Sequence, residues 1–333
     1  MKGLILLFGL VNGLSVDYPF YHTTEYIHAA VERLKATCAV PIYVKSHSSG
    51  IDVVDIGNNE DSSKQRIFYL FGEHARELVS PETALELMND LCSHSPTTAT
   101  KSALSQSIFR IIPNGNPGAR KLVESGQYCV RSNLNGVDLN RNWDANWRPE
   151  PVVNDDQLNP GSHPFSEVET RIFKEAVSEF NPKVFASIHS GTLGMYMPWA
   201  FKEGDRPVHN EEKMSQVIQE LDSKFCQCPA GAAEKEVGYA SPGTCLDWVH
   251  SHTKAEFSYA FEIFTGYGVQ DLRDRYKTQR ASLRRFTQTS SLLELEQDSC
   301  FTQFNPETKD MLQRTVNNWS SALIELAVLT ASK

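Results

Sequence analysis

The sequence predicts an α/β fold, a single domain in which a central mixed, twisted β-sheet carries helices on both faces. Three observations favour this fold class. Apolar runs of strand length alternate along the chain with segments whose apolar residues recur at helical spacing. No internal repeat, low-complexity tract or linker divides the sequence into two cores. The 333 residues, 40% of them hydrophobic, are also enough to bury one large core without help from disulfides.

Six apolar runs bounded by turn residues are predicted to be strands. They cover residues 41–44, 51–56, 66–71, 107–113, 183–188 and 255–261. Helical spacing of apolar residues predicts the helices. They cover residues 21–37, 81–92, 166–180, 211–225, 245–250, 280–293 and 306–329.

Two of these helices begin at recognisable capping sequences. Ser80 precedes Pro81, which combines a capping hydroxyl with proline at the first helical position. Ser166 and Glu169 form a capping box. By contrast, turn residues and weak periodicity predict a long loop over residues 114–148, followed by an exposed connection over residues 149–163.

The N-terminus predicts a secretory signal peptide over residues 1–15. Met1-Lys2 precedes an apolar core that ends at Leu10, and small residues follow at the cleavage spacing. The alternative is a first buried strand. Residues 16–333 then form the predicted domain, and no apolar run in them reaches membrane-spanning length. We therefore expect no membrane contact, and the net charge of −9 argues against a nucleic-acid partner.

The chain has seven cysteines, an odd number, so at least one is free or pairs outside the chain. Their number fits an oxidising compartment. Cys226 and Cys228 are too close together for the C-x-x-C spacing of a structural zinc site. Disulfides are therefore expected, but the sequence leaves their connectivity open.

Polar side chains follow three of the predicted buried strands at their carboxyl ends. They are His74, His189 and Glu262, and Glu77 lies three residues after His74. In open α/β sheets this edge is where ligands bind. Three such residues at three strand ends are much less expected by chance than any one of them.

His74, Glu77 and His189 make up a His₂Glu set, which is the ligand set of a catalytic zinc ion with an open position for water. The alternative for His189 is a core histidine satisfied by the backbone. The remaining histidines lack a strand-end position and are expected to be surface or structural residues. The sequence thus predicts one Zn²⁺ per chain.

Five ordered motifs extend this constellation at near-equal spacing. They are His-Ala-Arg-Glu at 74–77, the segment with Gly-Val-Asp-Leu-Asn-Arg-Asn-Trp at 135–144, Ser-Ile-His-Ser at 187–190, the segment 239–248, and Phe-Glu with Thr-Gly at 261–266. With them the chain resembles the zinc metallocarboxypeptidases of the pancreatic carboxypeptidase A and B type. The resemblance runs from about Tyr21 to the C-terminal helix and implies the zinc carboxypeptidase fold.

The resemblance implies a zinc-dependent enzyme that acts, as a monomer, on the C-termini of peptides or proteins. Glu262 matches the general base that takes a proton from water and passes it to the leaving amine. Arg131 matches the arginine that stabilises the tetrahedral oxyanion. The loop before Arg131 differs from the family, so Arg120 is the alternative.

Other matched residues are expected to hold the substrate. Asn140 and Arg141 match the anchor for the free carboxylate, although the same segment could be a turn held by Asx hydrogen bonds. Tyr239 resembles the mobile tyrosine that caps bound substrate. Arg76 matches a secondary carboxylate-binding arginine, or it pairs with a surface acid.

The resemblance also predicts specificity. Leu246 matches the floor of the pocket for the C-terminal side chain, and an apolar floor leaves a cationic end group unpaired. Ala200, at another pocket position, carries no charge either. We therefore expect a preference for aromatic or aliphatic C-terminal residues. A shift of the alignment by one residue would instead place Asp247 at the floor.

The chain departs from the pancreatic members at several places. Gly191 replaces a bulky aromatic residue, which predicts a more open upstream subsite. The loop 128–132 differs, one disulfide typical of these relatives has no obvious counterpart, and the inhibitory pro-segment is expected to be absent. Two other functions remain open: a deacylase or other amidohydrolase on the same scaffold, and a non-catalytic relative that binds peptide C-termini. The expected location is extracellular, with a lysosome- or vacuole-like compartment as the alternative.

Overall fold

The computed structural model describes residues 18–150, 156–202, 208–266 and 290–333. The predicted signal peptide, most of the predicted helix 280–293 and part of the predicted connection 149–163 lie outside these ranges. Among the described helices, none combines the length and the apolar character that a bilayer span requires.

Eight strands within the described residues form one mixed sheet in the order β1-β2-β4-β3-β5-β8-β6-β7. The four central strands, β4, β3, β5 and β8, are parallel to one another, whereas β1, β2 and β6 pair antiparallel with a neighbour. The strands are β1 (Ile42–Ser46), β2 (Asp52–Ile56), β3 (Gln65–Phe71), β4 (Ser107–Ile112), β5 (Val184–His189), β6 (Leu193–Met197), β7 (Ala230–Ala232) and β8 (Phe257–Ile263).

Helices cover both faces of this sheet. The described helices are α1 (Thr24–Thr37), α2 (Val79–Leu91), α3 (Thr98–Gln106), α4 (Pro117–Glu124), α5 (Val168–Phe180), α6 (Glu211–Leu221), α7 (Ala233–Val237), α8 (Cys245–His252), α9 (Ser290–Phe304) and α10 (Lys309–Ala331). Successive residues of β3 point to opposite sides: Tyr69 packs in the cluster with α2, α6 and α10, and Phe68 in the cluster with α5 and α8. The predicted α/β class with a mixed sheet between helices is confirmed.

Two capping predictions are wrong. Helix α2 begins at Val79, and the Ser80 hydroxyl instead accepts a hydrogen bond from the Gly72 N–H and donates one to the Ile188 carbonyl. Helix α5 begins at Val168 without a side-chain cap, because the Ser166 hydroxyl donates to the side chain of the neighbouring Glu167. In both cases tertiary or neighbouring partners take the hydroxyl away from the helix end.

The predicted loop 114–148 is wrong in part, because it contains α4. Asn116 caps this helix by accepting a hydrogen bond from the Ala119 N–H, and Pro117 occupies the first turn. Helix α4 has only eight residues, which is too short to display a clear period. The sequence pattern also does not predict the short helices α3 and α7 or the short strands β6 and β7.

All seven cysteines lie in the described ranges. Disulfides join Cys38 to Cys92, Cys129 to Cys300, and Cys226 to Cys228, and the buried Cys245 is free. The odd cysteine expected from the count is thus Cys245. The second disulfide ties the loop before Arg131 to α9 across 171 residues of sequence.

Candidate metal centre and active site

The loop between β3 and α2 carries two of the predicted metal ligands. It turns at Gly72, whose φ of +66° favours glycine and where a Cβ atom would lie 2.8 Å from Pro81. Because the Ser80 hydroxyl bonds to both Gly72 and Ile188, this loop is tied directly to the end of β5. His189 is the last residue of β5, so one hydroxyl joins both ligand-bearing segments.

The structure brings His74, Glu77 and His189 together. Their ligand atoms lie within 4.8 Å of one another, and all three side chains are buried. The His74 and His189 Nδ1 atoms are 3.2 Å apart, His189 Nδ1 is 3.2 Å from Glu77 Oε2, and His74 Nδ1 is 2.7 Å from Glu77 Oε1. Three lone-pair donors therefore face one point.

This arrangement fits zinc. With bonds of about 2.0–2.1 Å, tetrahedral ligand atoms lie about 3.3 Å apart, close to the separations of the two imidazoles and of His189 from the carboxylate. Burial raises the pKa of Glu77, but the His74 and His189 side chains outweigh this and hold the pKa well below its usual range. The carboxylate is thus kept in the charged form that a metal ligand requires.

Asp138 lies behind His74 and was not singled out from the sequence. Its Oδ1 is 3.1 Å from His74 Nε2, and its Oδ2 accepts a hydrogen bond of 2.9 Å from Arg131 Nε. A proton on Nε2 leaves Nδ1 free to bind a metal. Although burial raises the pKa of Asp138, Arg131 and His74 lower it well below its usual range.

Arg131 reaches the ligand set, whereas Arg120 does not. The Arg131 Nη1 atom is 3.3 Å from His74 Nδ1 and 3.7 Å from Glu77 Oε1. Arg120 is buried beside α1 and α2, where it donates to the His22 carbonyl and lies near Glu124. Of the two arginines considered, only Arg131 lies beside the cluster of His74, Glu77 and His189.

Glu262 lies in β8, which pairs with β5, and it is the register partner of His189. The predicted strand ended at residue 261, two residues before the observed end of β8 at Ile263. Burial and the charge of Glu77 raise the pKa of Glu262 to about 7, against the opposing effects of His189, His74 and Arg131. A carboxyl group with this pKa can both accept and release a proton near neutral pH.

Asn140 and Arg141 lie in a short 3₁₀ turn next to the ligands. The Asn140 Oδ1 atom accepts a hydrogen bond from the Cys245 N–H, and its Nδ2 is 3.5 Å from His189 Nε2. Arg141 donates to the Asn140 carbonyl and to the Ser241 hydroxyl. The Asx turn considered from the sequence also exists, because Asp138 Oδ1 accepts from the Asn140 N–H.

Tyr239 and Arg76 lie at the rim. Tyr239 follows α7, is 37% exposed, and is close enough to Arg131 to interact with its charge. The Arg76 guanidinium lies 3.9 Å from the centre of the Phe304 ring and donates to the Gln157 side chain. Among its contacts, Arg76 thus has an aromatic ring and a side-chain amide.

Leu246 lies in a small apolar cluster. It is 2% exposed and clusters with Tyr196, Ala200 and Ala233. The neighbouring Asp247 turns elsewhere, since its carboxylate accepts hydrogen bonds from the N–H groups of Ala200 and Phe201. Its charge is therefore already engaged by the backbone.

The space beside Gly191 is filled. A side chain at Gly191 would overlap the ring of Phe304, which belongs to the end of α9. Asn305, the next residue, accepts a hydrogen bond from the Val79 N–H and donates one to the Arg76 carbonyl. The prediction that glycine opens this subsite is wrong here, because an aromatic ring from a distant segment occupies the vacated volume.

Known proteins resemble this chain along most of its length. The family profile described as zinc carboxypeptidase matches residues 45–277. Zinc carboxypeptidase A 1 of Anopheles gambiae is 25% identical over 74% of this chain and 60% of its own length. Carboxypeptidase B of Astacus astacus is 25% identical over 74% of this chain and 88% of its own length. The chain therefore spans 60% of the length of the Anopheles gambiae relative.

Solved structures show the same fold. The crystal structure of thrombin activatable fibrinolysis inhibitor aligns with a TM-score of 0.74 and 19% identity, covering 96% of this chain and 77% of that one. Carboxypeptidase A from Helicoverpa armigera aligns with a TM-score of 0.67 and 19% identity, covering 94% and 74% respectively. At this identity the likeness concerns the fold alone.

Proposed function

Because this chain belongs to the zinc carboxypeptidase family, we propose that it hydrolyses the C-terminal peptide bond of peptides and proteins with one zinc ion per chain. One observation carries the proposal: two imidazoles and a carboxylate converge on one point, with Glu262 on the adjacent strand. These side chains come from three separate segments of sequence, and the fold alone requires none of them to be polar.

The proposed chemistry uses three residues as metal ligands and a fourth, Glu262, as the general base. His74, Glu77 and His189 would hold the zinc ion, which would supply Lewis acidity for the scissile carbonyl and for the attacking water. Glu262 takes the proton from the attacking water and delivers it to the leaving amine. Transfer in both directions suits its pKa of about 7.

Arg131 is proposed to stabilise the oxyanion. Its Nε is committed to Asp138, whereas Nη1 points to the ligand set, 3.3 Å from His74 Nδ1. The aspartate thus fixes the direction of the guanidinium before the reaction begins. A donor that is already oriented stabilises developing charge without reorganisation.

Exopeptidase action requires a site for the free carboxylate. We assign it to Arg141 and Asn140, with Tyr239 as the cap and Arg76 as an outer cation. The buried Arg141 guanidinium is held by the Asn140 carbonyl and by Ser241 at 3.1 Å, so that it is oriented without a neutralising acid in these hydrogen bonds. A charge held this way favours an incoming carboxylate.

The pocket is proposed to prefer aromatic or aliphatic C-terminal side chains. Support comes from the apolar cluster around Leu246 and from the engagement of Asp247 by backbone N–H groups. A lysine or arginine end group in this cluster would lose its hydration and gain no acidic partner.

An extracellular location is proposed, with a lysosome- or vacuole-like compartment as the alternative. The three disulfides support an oxidising route. We further propose that the enzyme acts as a monomer, since one chain supplies all the residues assigned above.

The test uses the purified full chain and blocked dipeptides that end in Phe, Leu, Lys or Glu. We expect release of Phe and Leu, loss of release with a zinc chelator, and recovery when Zn²⁺ is restored. The same dipeptides with an amidated C-terminus are the control and should not be cleaved at a comparable rate. No chelator-sensitive release from any substrate would overturn the proposal, and equal cleavage of the amidated peptides would favour an amidohydrolase.

A further inference from the structure

Glu73 is a buried acid that neither the motifs nor the mechanism above explains. It immediately precedes His74 in the β3–α2 loop and is 1% exposed. The Trp143 Nε1–H donates to its Oε1 at 3.2 Å, and its Oε2 lies 3.6 Å from Cys245 Sγ and 3.7 Å from His189 Nε2. A carboxylate in such surroundings is costly unless charged or polar groups compensate for its burial.

The two ring nitrogens of His189 face different partners. Nδ1 faces the metal-binding point, 3.2 Å from both His74 Nδ1 and Glu77 Oε2. Nε2 faces away from it and lies near Glu73 at 3.7 Å and near Asn140 Nδ2 at 3.5 Å. The other side of this ring is therefore shared by a carboxylate and an amide.

The amide of Asn140 cannot accept a hydrogen bond from His189. Its Oδ1 accepts a hydrogen bond of 2.9 Å from the Cys245 N–H, which assigns the atom beside His189 as the NH₂ group, a donor. Of the two groups, only the Glu73 carboxylate can accept a hydrogen bond from the Nε2–H group. A movement of roughly 1 Å would bring the 3.7 Å separation to hydrogen-bond length.

His74 shows the same arrangement, with its acidic partner already at hydrogen-bond distance. Asp138 lies 3.1 Å from His74 Nε2, on the side opposite the metal-binding point. An acceptor behind a metal-binding imidazole fixes its tautomer and orientation and raises its basicity. Glu73 occupies the equivalent place behind His189.

We propose that Glu73 is a positioning residue, which accepts a hydrogen bond from the Nε2–H group of His189 and thereby keeps Nδ1 free and aimed at the metal. The inference rests on the proposed function. Trp143 and Cys245 hold the carboxylate from its other sides, so that it serves His189 without becoming a metal ligand itself. The two imidazoles of the site are then each backed by an acid from a different segment.

The test measures zinc binding by the full chain in competition with a chromogenic chelator. Glu73→Gln keeps the shape and a neutral acceptor, and Glu73→Leu removes the acceptor. We expect the Kd for Zn²⁺ to rise about 10-fold in the first variant and towards 100-fold in the second. In the zinc-loaded protein, the His189 Nε2–H proton resonance should move upfield in both, because the hydrogen bond to a charged acceptor is lost.

Glu82 provides a matched control. It is likewise buried and paired with a histidine, with Oε2 2.7 Å from His22 Nδ1. Glu82→Gln should lower stability and leave the Kd for Zn²⁺ and the His189 resonance unchanged. The inference is overturned if both Glu73 variants bind zinc as tightly as the unaltered chain, or if Glu82→Gln weakens zinc binding as much as they do. Either result leaves the proposed function intact. Failure of the unaltered chain to bind Zn²⁺ would overturn the proposed function and this inference with it.

Discussion

The replacement Leu246→Asp tests how the pocket selects its substrate. Leu246 is 2% exposed in a cluster with Tyr196 and the two alanines Ala200 and Ala233. A lysine end group meets no carboxylate among these four residues, which costs roughly 3 kcal/mol for a buried unpaired charge. An aspartate would remove this cost for lysine and impose at least about 1 kcal/mol on phenylalanine. The sum, about 4 kcal/mol, corresponds to a roughly thousandfold change in relative specificity.

The assay compares kcat/KM for blocked dipeptides ending in Phe and in Lys. We expect the unaltered chain to favour Phe by about 100-fold or more, and Leu246→Asp to shift the ratio towards Lys by about a thousandfold. Leu246→Asn is the matched control, since it has the same shape as the aspartate without the charge. This control variant should lower kcat/KM for the dipeptide ending in Phe without raising kcat/KM for the dipeptide ending in Lys.

Asp247 is the alternative residue for the floor of the pocket, and its replacement tests that alternative. Its carboxylate accepts hydrogen bonds from the Ala200 and Phe201 N–H groups, so Asp247→Asn should reduce stability and leave the ratio of Phe to Lys unchanged. If Leu246→Asp leaves the ratio unchanged while Asp247→Asn alters it, the pocket has been assigned in the wrong register and the reasoning is refuted.

Three further predictions concern the base, the anchor and acid stability. Glu262→Gln should lower kcat by about 10²–10⁴ with unchanged zinc content, measured by kinetics and metal analysis, because it removes the base and no ligand; depletion of zinc would contradict this assignment. Arg141→Lys should raise KM by about 10-fold or more, because an ammonium cannot fork onto a carboxylate, and an unchanged KM would place the anchor elsewhere. Burial and the neighbouring His209 lower the pKa of His250 to about 3. Between this value and the unfolded pKa near 6.5 the unfolded chain binds one more proton, so the free energy of unfolding should fall by about 1.4 kcal/mol per pH unit as pH falls. His250→Phe should remove that part of the slope in urea titrations at pH 7 and pH 5, and an identical slope would contradict it.

The sequence predicts the site best where chemistry and strand position coincide. His74, His189 and Glu262 each follow or end an apolar run, and apolar runs of this length are visible without any knowledge of tertiary structure. The same reasoning predicts the central parallel strands. Boundaries shift by one or a few residues because tertiary contacts decide where a strand or helix stops.

Contacts between distant segments account for what the sequence does not predict. Ser80 resembles a helix cap but bonds to Gly72 and Ile188, which no local pattern reveals. Glu73 immediately precedes the His-Ala-Arg-Glu motif, yet its partners are Trp143, Cys245 and His189, 70 or more residues away in sequence. Phe304 fills the space beside Gly191 from another part of the chain. In each case the residue type is visible in the sequence, and its partner is decided by the fold.

The end of α9 joins three functional segments although it contains none of the proposed catalytic groups. Cys300 is bonded to the loop of Arg131, Phe304 packs on Gly191 and Arg76, and Asn305 binds the backbone at the start of α2. Substitutions far from any motif can therefore displace the proposed catalytic groups. A survey of natural variants that inspects only signature sequences would rate changes at these positions as harmless, and the fold suggests that they deserve the same scrutiny as changes to the ligands.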